Sequence, residues 1–124
     1  MFIIDLSSRL AIYEQIVRQV EEGILKGLLQ PKEQLPSVRS LSLELALNPN
    51  TVSKAYTELE RRGIIYTAVG KGCFIAPNAY TVISQKITEN FEEFLRQVKN
   101  YKAAGVSAEK LISLIQQLYK EETE

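Results

Sequence analysis

Residues 46–63 read ALNPNTVSKAYTELERRG. Polar side chains crowd the front of this stretch: Asn50, Thr51, Ser53 and Lys54 supply an amide, two hydroxyls and an ammonium. Amides and hydroxyls both donate and accept hydrogen bonds, and an ammonium adds a point charge. Such a set suits non-covalent reading of a polar, anionic partner. It does not suit catalysis, because the chain has no histidine and one cysteine, Cys73. That composition excludes histidine acid–base chemistry and a disulfide within the chain, and it leaves almost no basis for a His/Cys metal centre. No metal and no cofactor is expected. The VGKG sequence at 69–72 invites a phosphate-loop reading, but that loop needs GxxxxGK[ST] between a strand and a helix.

The elements around these residues follow from hydrophobic spacing. Val52, Ala55, Tyr56 and Leu59 recur at i, i+3, i+4 and i+7, which is one face of a helix. Asn48 is a strong N-cap residue, and Pro49 falls at the first helical position, where its missing N–H costs nothing. Gly63 closes the helix behind Arg61 and Arg62, charges that suit a helix C-terminus. The stripe fixes the buried face and so leaves Asn50, Thr51, Ser53 and Lys54 outward. First-turn N–H groups and the helix dipole would also favour a phosphate oxygen there.

Upstream, Ile12, Ile16, Val20, Ile24 and Leu28 predict a helix capped by Ser7 or Ser8 and ending near Gly27. Residues 2–5 (FIID) read as a short edge strand. Ser37 predicts the N-cap of a short helix with Val38, Leu41 and Leu45 on its buried face. Downstream, Ile64–Thr67 and Cys73–Ile75 predict a small hairpin turning through VGKG. Pro77-Asn78 marks a boundary. Beyond it Ile83, Ile87, Phe91, Phe94, Val98 and Tyr101 follow in steps of three or four, predicting one helix that ends at Ala103-Ala104-Gly105. Ser107 caps a last helix carrying Leu111, Ile112, Leu114, Ile115, Leu118 and Tyr119, and residues 120–124 read as a solvated tail.

The bulk properties are those of a soluble globular chain: 124 residues, 45% hydrophobic, 24% charged, 15 basic against 15 acidic. Zero net charge excludes a generic polyanion binder, although a local patch escapes such a sum. Residues 36–72 hold five basic residues (Arg39, Lys54, Arg61, Arg62, Lys71) against three acids (Glu44, Glu58, Glu60), a modest excess. No stretch approaches the roughly 18 apolar residues of a membrane span. Asp5 interrupts the N-terminus, which is not a signal peptide. A chain without disulfides suits a reducing, cytoplasmic setting.

Helix, helix, short turn, helix and hairpin in that order predict a winged helix-turn-helix: mainly α with a small β-hairpin. On this reading residues 50–62 form the recognition helix, and its four exposed polar residues face the major groove of double-stranded DNA. The stretch LPSVRSLSLELALNPNTVSKAYTELERRGIIYTAVGKGCFI resembles the winged helix-turn-helix of the GntR family of bacterial transcription regulators. LPSxR, NTVxxAYxxLExxG and GxGxF occur in order, and IYEQIVRQVEEGILKGLLQP looks like the family's first helix. The resemblance covers roughly residues 9–77 and looks most like the YtrA subfamily, whose members carry a short helical tail. It implies DNA contacts by Arg39 from the first helix of the motif, by Asn50, Thr51, Ser53 and Lys54 from the second, and by Gly70 and Lys71 at the wing tip. Ser37 would be a cap with a phosphate contact. Ala11 replaces the family's proline, Lys32 replaces a turn glycine, and the glycine usual between the two motif helices is missing from ELALNP. These departures bear on turn geometry rather than on the fold. The wing also lacks the arginine common among relatives.

The expected organisation is a DNA-binding domain at 1–77 and a helical dimerisation tail at 78–124. Two tail helices cannot bury such wide apolar faces on each other alone. Ile83, Ile87, Phe91, Phe94, Val98, Leu111, Ile115 and Leu118 are therefore expected to pair with a second chain, giving a symmetric dimer that matches a palindromic operator. The expected function is transcriptional repression, with a neighbouring transporter operon as the target the resemblance suggests. An unknown small-molecule effector would have to sit at the tail junction or the dimer interface. The competing function is a winged-helix protein-interaction module without DNA binding, which would need no polar helix front.

Overall fold

The structure is a computed structural model and describes residues 2–121, so residues 122–124 of the expected solvated tail lie outside the described residues. Helices α1 (Ile12–Leu25), α2 (Val38–Leu45) and α3 (Pro49–Arg61) precede an antiparallel hairpin of β1 (Ile65–Ala68) and β2 (Gly72–Ile75). Helices α4 (Ala79–Thr88), α5 (Glu92–Ala103) and α6 (Ala108–Glu121) complete the chain. It divides into two compact units, Met1–Lys86 and Ile87–Glu124.

In the first unit α3 packs against both α1 and α2. Ile16, Val20 and Ile24 of α1, Leu41 of α2, Val52, Ala55 and Leu59 of α3, and Ile64, Ile65 and Ile75 at the hairpin are all buried in one cluster. Truncating a side chain such as Leu41 to alanine costs about 2–5 kcal/mol at a site of this kind. The stripe read from the sequence falls one residue short at its end: Leu28 is exposed and Leu29 is buried. Ala79 and Ile83 of α4 join the same cluster, so the compact unit extends beyond Pro77-Asn78.

The helix ends at the motif follow capping chemistry. Ser37 Oγ accepts from the Ser40 N–H at 3.0 Å, and Asn48 Oδ1 accepts from the Asn50 N–H at 2.8 Å. Helix α3 closes in a Schellman motif, with Ile64 N–H donating to Leu59 O and Gly63 N–H to Glu60 O. Helix α1 departs from expectation. Its N-cap is Ala11, with no side-chain cap, and Ser8 instead accepts from the nearby Leu10 N–H.

Residues 2–5 are not a strand. Two glutamines of α1 replace the missing ladder: Gln19 exchanges both amide bonds with the backbone of Ile3, and Gln15 does so with Asp5. A primary amide reproduces the donor–acceptor pair of a peptide, so no neighbouring strand is needed.

Among the described residues two besides glycines adopt positive φ, Lys32 (66°) and Ala46 (54°). They account for the two glycines that the chain lacks relative to its family pattern. Ala46 ends α2 in the left-handed region at the turn into α3. That conformation costs an L-residue about 1–2 kcal/mol, partly offset by the extra entropy glycine loses on folding. Ala46→Gly should therefore raise the unfolding free energy by up to about 1 kcal/mol. A lower urea midpoint in the variant would contradict this.

The second unit also differs from expectation. The single helix expected through Tyr101 is broken at residues 89–91 between α4 and α5. Each step of four residues advances about 40° around a helix, so Ile83, Ile87 and Phe91 spiral off one face. Asn90, a weak helix former, sits at the break. Ser107 caps α6 as expected, accepting from the Lys110 N–H at 3.1 Å. Neither α5 nor α6 buries a single residue.

Candidate nucleic-acid interface

Helix α3 turns its apolar stripe inward. Val52, Ala55, Tyr56 and Leu59 are buried, Asn50, Ser53 and Lys54 are exposed, and Thr51 is half-buried in the first turn. Tyr56 serves packing. Its hydroxyl donates to Pro36 O at 2.6 Å, which ties α3 to the residue just before the α2 cap, and burial pushes its phenol pKa up. The α2 end that carries Ser37 and Arg39 is thereby fixed against α3. Arg39 is exposed and makes no ion pair among the described residues.

The first-turn N–H groups of α3 are not open to a phosphate. Pro49 has none, Asn50 N–H is held by the Asn48 side chain, and Thr51 and Val52 N–H both donate to Asn48 O. What this helix front offers a ligand is therefore its side chains. Asn50, Ser53 and Lys54 line one open groove with Thr57, Glu58 and Tyr13 of α1. Tyr13 was not expected at this surface. The Lys54 ammonium lies 4.1 Å from the centre of its ring.

Arg61 and Arg62 are structural. Both donate to Glu58, and Arg62 also reaches Glu21 of α1. Arg61 first and Arg62 second hold the Glu58 carboxyl down to about 2, against its ordinary 4.5. A depressed carboxylate stabilises the fold fully above 4.5, and that contribution is lost as pH falls through about 2. Glu58→Gln should thus lower the urea midpoint near neutral pH by an amount that shrinks steadily below pH 4.5. A gap that persists unchanged in acid would refute the ion-pair account.

The wing is anchored on its inner side by a segment that carried no strand signal. Lys32 N–H donates to Ile75 O, Ile75 N–H to Glu33 O, and Leu35 N–H to Cys73 O, so residues 32–35 run along β2. Gln34 Nε2 donates to Lys71 O at 3.0 Å, at the wing tip. Gly72 takes φ 120°, a backbone conformation that favours glycine, and a Cβ there would stand 2.7 Å from that nitrogen and displace the Gln34 amide. Gly70 takes φ 76° in the turn, and Lys71 is exposed beside it. Tyr66 and Phe74 stack across the strands at 5.6 Å. Cys73 is half-buried, and burial pushes its thiol pKa up, away from the reactive thiolate.

Among the described residues no group of acidic or sulfur ligands has metal-site geometry, and no helix is long and apolar enough to cross a membrane.

Three helices with α3 framed by a capped α2 and an anchored two-stranded wing define a winged helix-turn-helix protein. Residues 12–75 match the bacterial regulatory proteins of the gntR family, and the chain belongs to that family of transcription regulators. It is 45% identical over 119 residues to the HTH-type transcriptional repressor YtrA of Bacillus subtilis (strain 168), covering 95% of this chain and 92% of that one. The likeness thus runs through the tail. A GntR family transcriptional regulator from Listeria monocytogenes superposes with a TM-score of 0.73 at 30% identity, covering 92% of this chain and 98% of that one. The DNA-binding domain of AraR, solved in complex with operator ORE1, aligns with a TM-score of 0.52 at 27% identity, over 61% of this chain and 95% of that one.

Proposed function

We propose that this regulator represses transcription by occupying a palindromic operator as a homodimer. Each α3 enters a major groove, and each wing tip approaches the adjacent backbone. The observation that carries the reading is the division of α3 into a buried apolar stripe and an exposed front of Asn50, Ser53 and Lys54, with Thr51 beside them. Arg39 and Lys71 add exposed cations on α2 and the wing. The operator complex of the AraR domain supports the same use of the fold here.

Dimerisation is supported by the second unit. Phe91, Phe94, Leu95, Tyr101, Ile112, Ile115 and Leu118 are each 42% to 59% exposed in the single chain. A soluble chain rarely leaves so large an apolar face uncovered, and a second copy would cover it. Val98 and Leu111 are half-buried, and Ile87 is exposed. Ile83, grouped with them on sequence grounds, is 4% exposed and belongs to the first unit's core. The transporter-operon target rests on family resemblance, and transcript levels of adjacent genes in a deletion strain test it.

Salt-titrated binding to duplex DNA separates this function from a protein-interaction module. Affinity should fall steeply as salt rises, because each cation placed on a phosphate releases counterions. Lys54→Ala should lower the slope by about one per contact, whereas Asn50 or Thr51 substitutions should change sequence preference. Binding that is indifferent to salt, or absent, would favour the module.

A further inference from the structure

We propose that Tyr13 is a positioning residue for DNA recognition, holding the Lys54 ammonium at the front of α3 without neutralising it. The inference rests on the DNA-binding function proposed above. Among the described residues lining its groove, two can hold the Lys54 charge. One is Glu58, a turn further along α3 and lining the same groove. The other is the Tyr13 ring on α1, whose centre lies 4.1 Å from Nζ.

Glu58 is already occupied. Arg61 Nε and Nη2 donate to its two oxygens at 2.9 and 2.6 Å, and Arg62 Nε donates at 2.7 Å. Lysine preceding glutamate by four residues is also the weaker orientation of a helical ion pair. Lys54 makes no salt bridge with it. The Tyr13 hydroxyl is engaged by Glu14 at 3.1 Å, leaving the ring face to meet the ammonium.

The two partners have different consequences for DNA binding. A carboxylate would cancel the charge, and the pair would have to break before a phosphate could be bound. An aromatic face attracts the cation through its quadrupole and leaves the full charge in place. It also restricts a side chain that otherwise loses considerable rotamer freedom on binding. Because Tyr13 sits on α1 and Lys54 on α3, the packing of those helices sets where the charge is offered.

The test is a double-mutant cycle on duplex DNA with full-length chain. Tyr13→Leu should weaken binding about two- to five-fold per half-site, the value of an exposed cation–π contact. Tyr13→Phe, which keeps the ring, should bind like wild type. In a Lys54→Ala background Tyr13→Leu should have no further effect. An equal loss in both backgrounds, or a Tyr13→Phe variant as weak as Tyr13→Leu, would overturn the proposal. A readout independent of DNA accompanies it: the Lys54 ε-methylene protons of the free protein should be shifted upfield by the ring, and Tyr13→Leu should abolish the shift. Its absence in wild type would overturn the proposal even where DNA binding is intact. Failure of wild type itself to bind DNA would instead remove the function on which the proposal rests.

Discussion

Arg39→Ala should leave the fold intact and weaken operator binding by about 30-fold to 10⁴-fold. Arg39 is exposed near the start of α2 and has no ion-pair partner among the described residues. Its removal opens no cavity and strands no buried charge, so stability should change by no more than about 0.5 kcal/mol. The guanidinium is a planar fork of donors, and a good bidentate contact is worth about 1–3 kcal/mol. The proposed dimer would make that contact twice, which doubles the free energy and squares the loss in affinity. Arg39→Lys would keep the charge and lose the fork. Partial recovery by lysine would indicate a phosphate contact, and no recovery a base contact. An Arg39→Ala variant that binds within about two-fold of wild type would remove Arg39 from the interface.

The second large effect concerns the tail. Ile115→Glu combined with Leu118→Glu should convert the proposed dimer to a monomer and lower operator affinity about 10³-fold or more. That range separates specific binding from a half-engaged, non-specific encounter. Both residues are exposed in the single chain, at 42% and 59%, so two glutamates can reach solvent and strand no buried charge within it. They would place paired carboxylates in a symmetric apolar interface, where burial without partners is costly. Sedimentation should show monomers for the variant and dimers for wild type. Wild-type chain that sediments as a monomer at micromolar concentration would refute the dimer outright. Thermal unfolding of the first unit should be unchanged, since its core is built from residues up to Ile83.

What was legible in the sequence was local. Helices α2 and α3 could be read because Ser37, Asn48, Pro49 and Gly63 act on backbone groups within a few residues of themselves. The α3 stripe could be read because its period is a property of the helix alone. Contacts between distant segments left weaker traces. The Gln15 and Gln19 clamp on residues 3–5 resembles any polar pair on a helix, while FIID resembles a strand. Residues 32–35 pair with β2 although PKEQL has no strand pattern, because main-chain groups make those bonds. The break at 89–91 carries no glycine or proline and shows only as slow rotation of the apolar stripe.

The candidate site divides in the same way. Asn50, Thr51, Ser53 and Lys54 follow from the buried face opposite them. Arg39, Gly70 and Lys71 depended on family resemblance, since an exposed arginine and a glycine-rich turn have no distinctive spacing. The Tyr13 contact had no signal: a tyrosine in IYEQI reads as packing, and only the crossing of α1 and α3 brings its ring under Lys54. Lys32 and Ala46 are the reverse case. Their departure from glycine was visible in the sequence, and the structure shows that the left-handed turns persist without it.

The front of α3 is proposed to read bases in a symmetric operator. Selection of bound sequences from a random duplex pool, using the full chain, tests it most directly. The expected result is enrichment of an inverted repeat with half-site centres roughly 34–36 Å apart, or a multiple of that. Replacing Asn50 or Thr51 should also change the enriched half-site. A pool with no enriched sequence, or the same enriched sequence from wild type and from those variants, would contradict it.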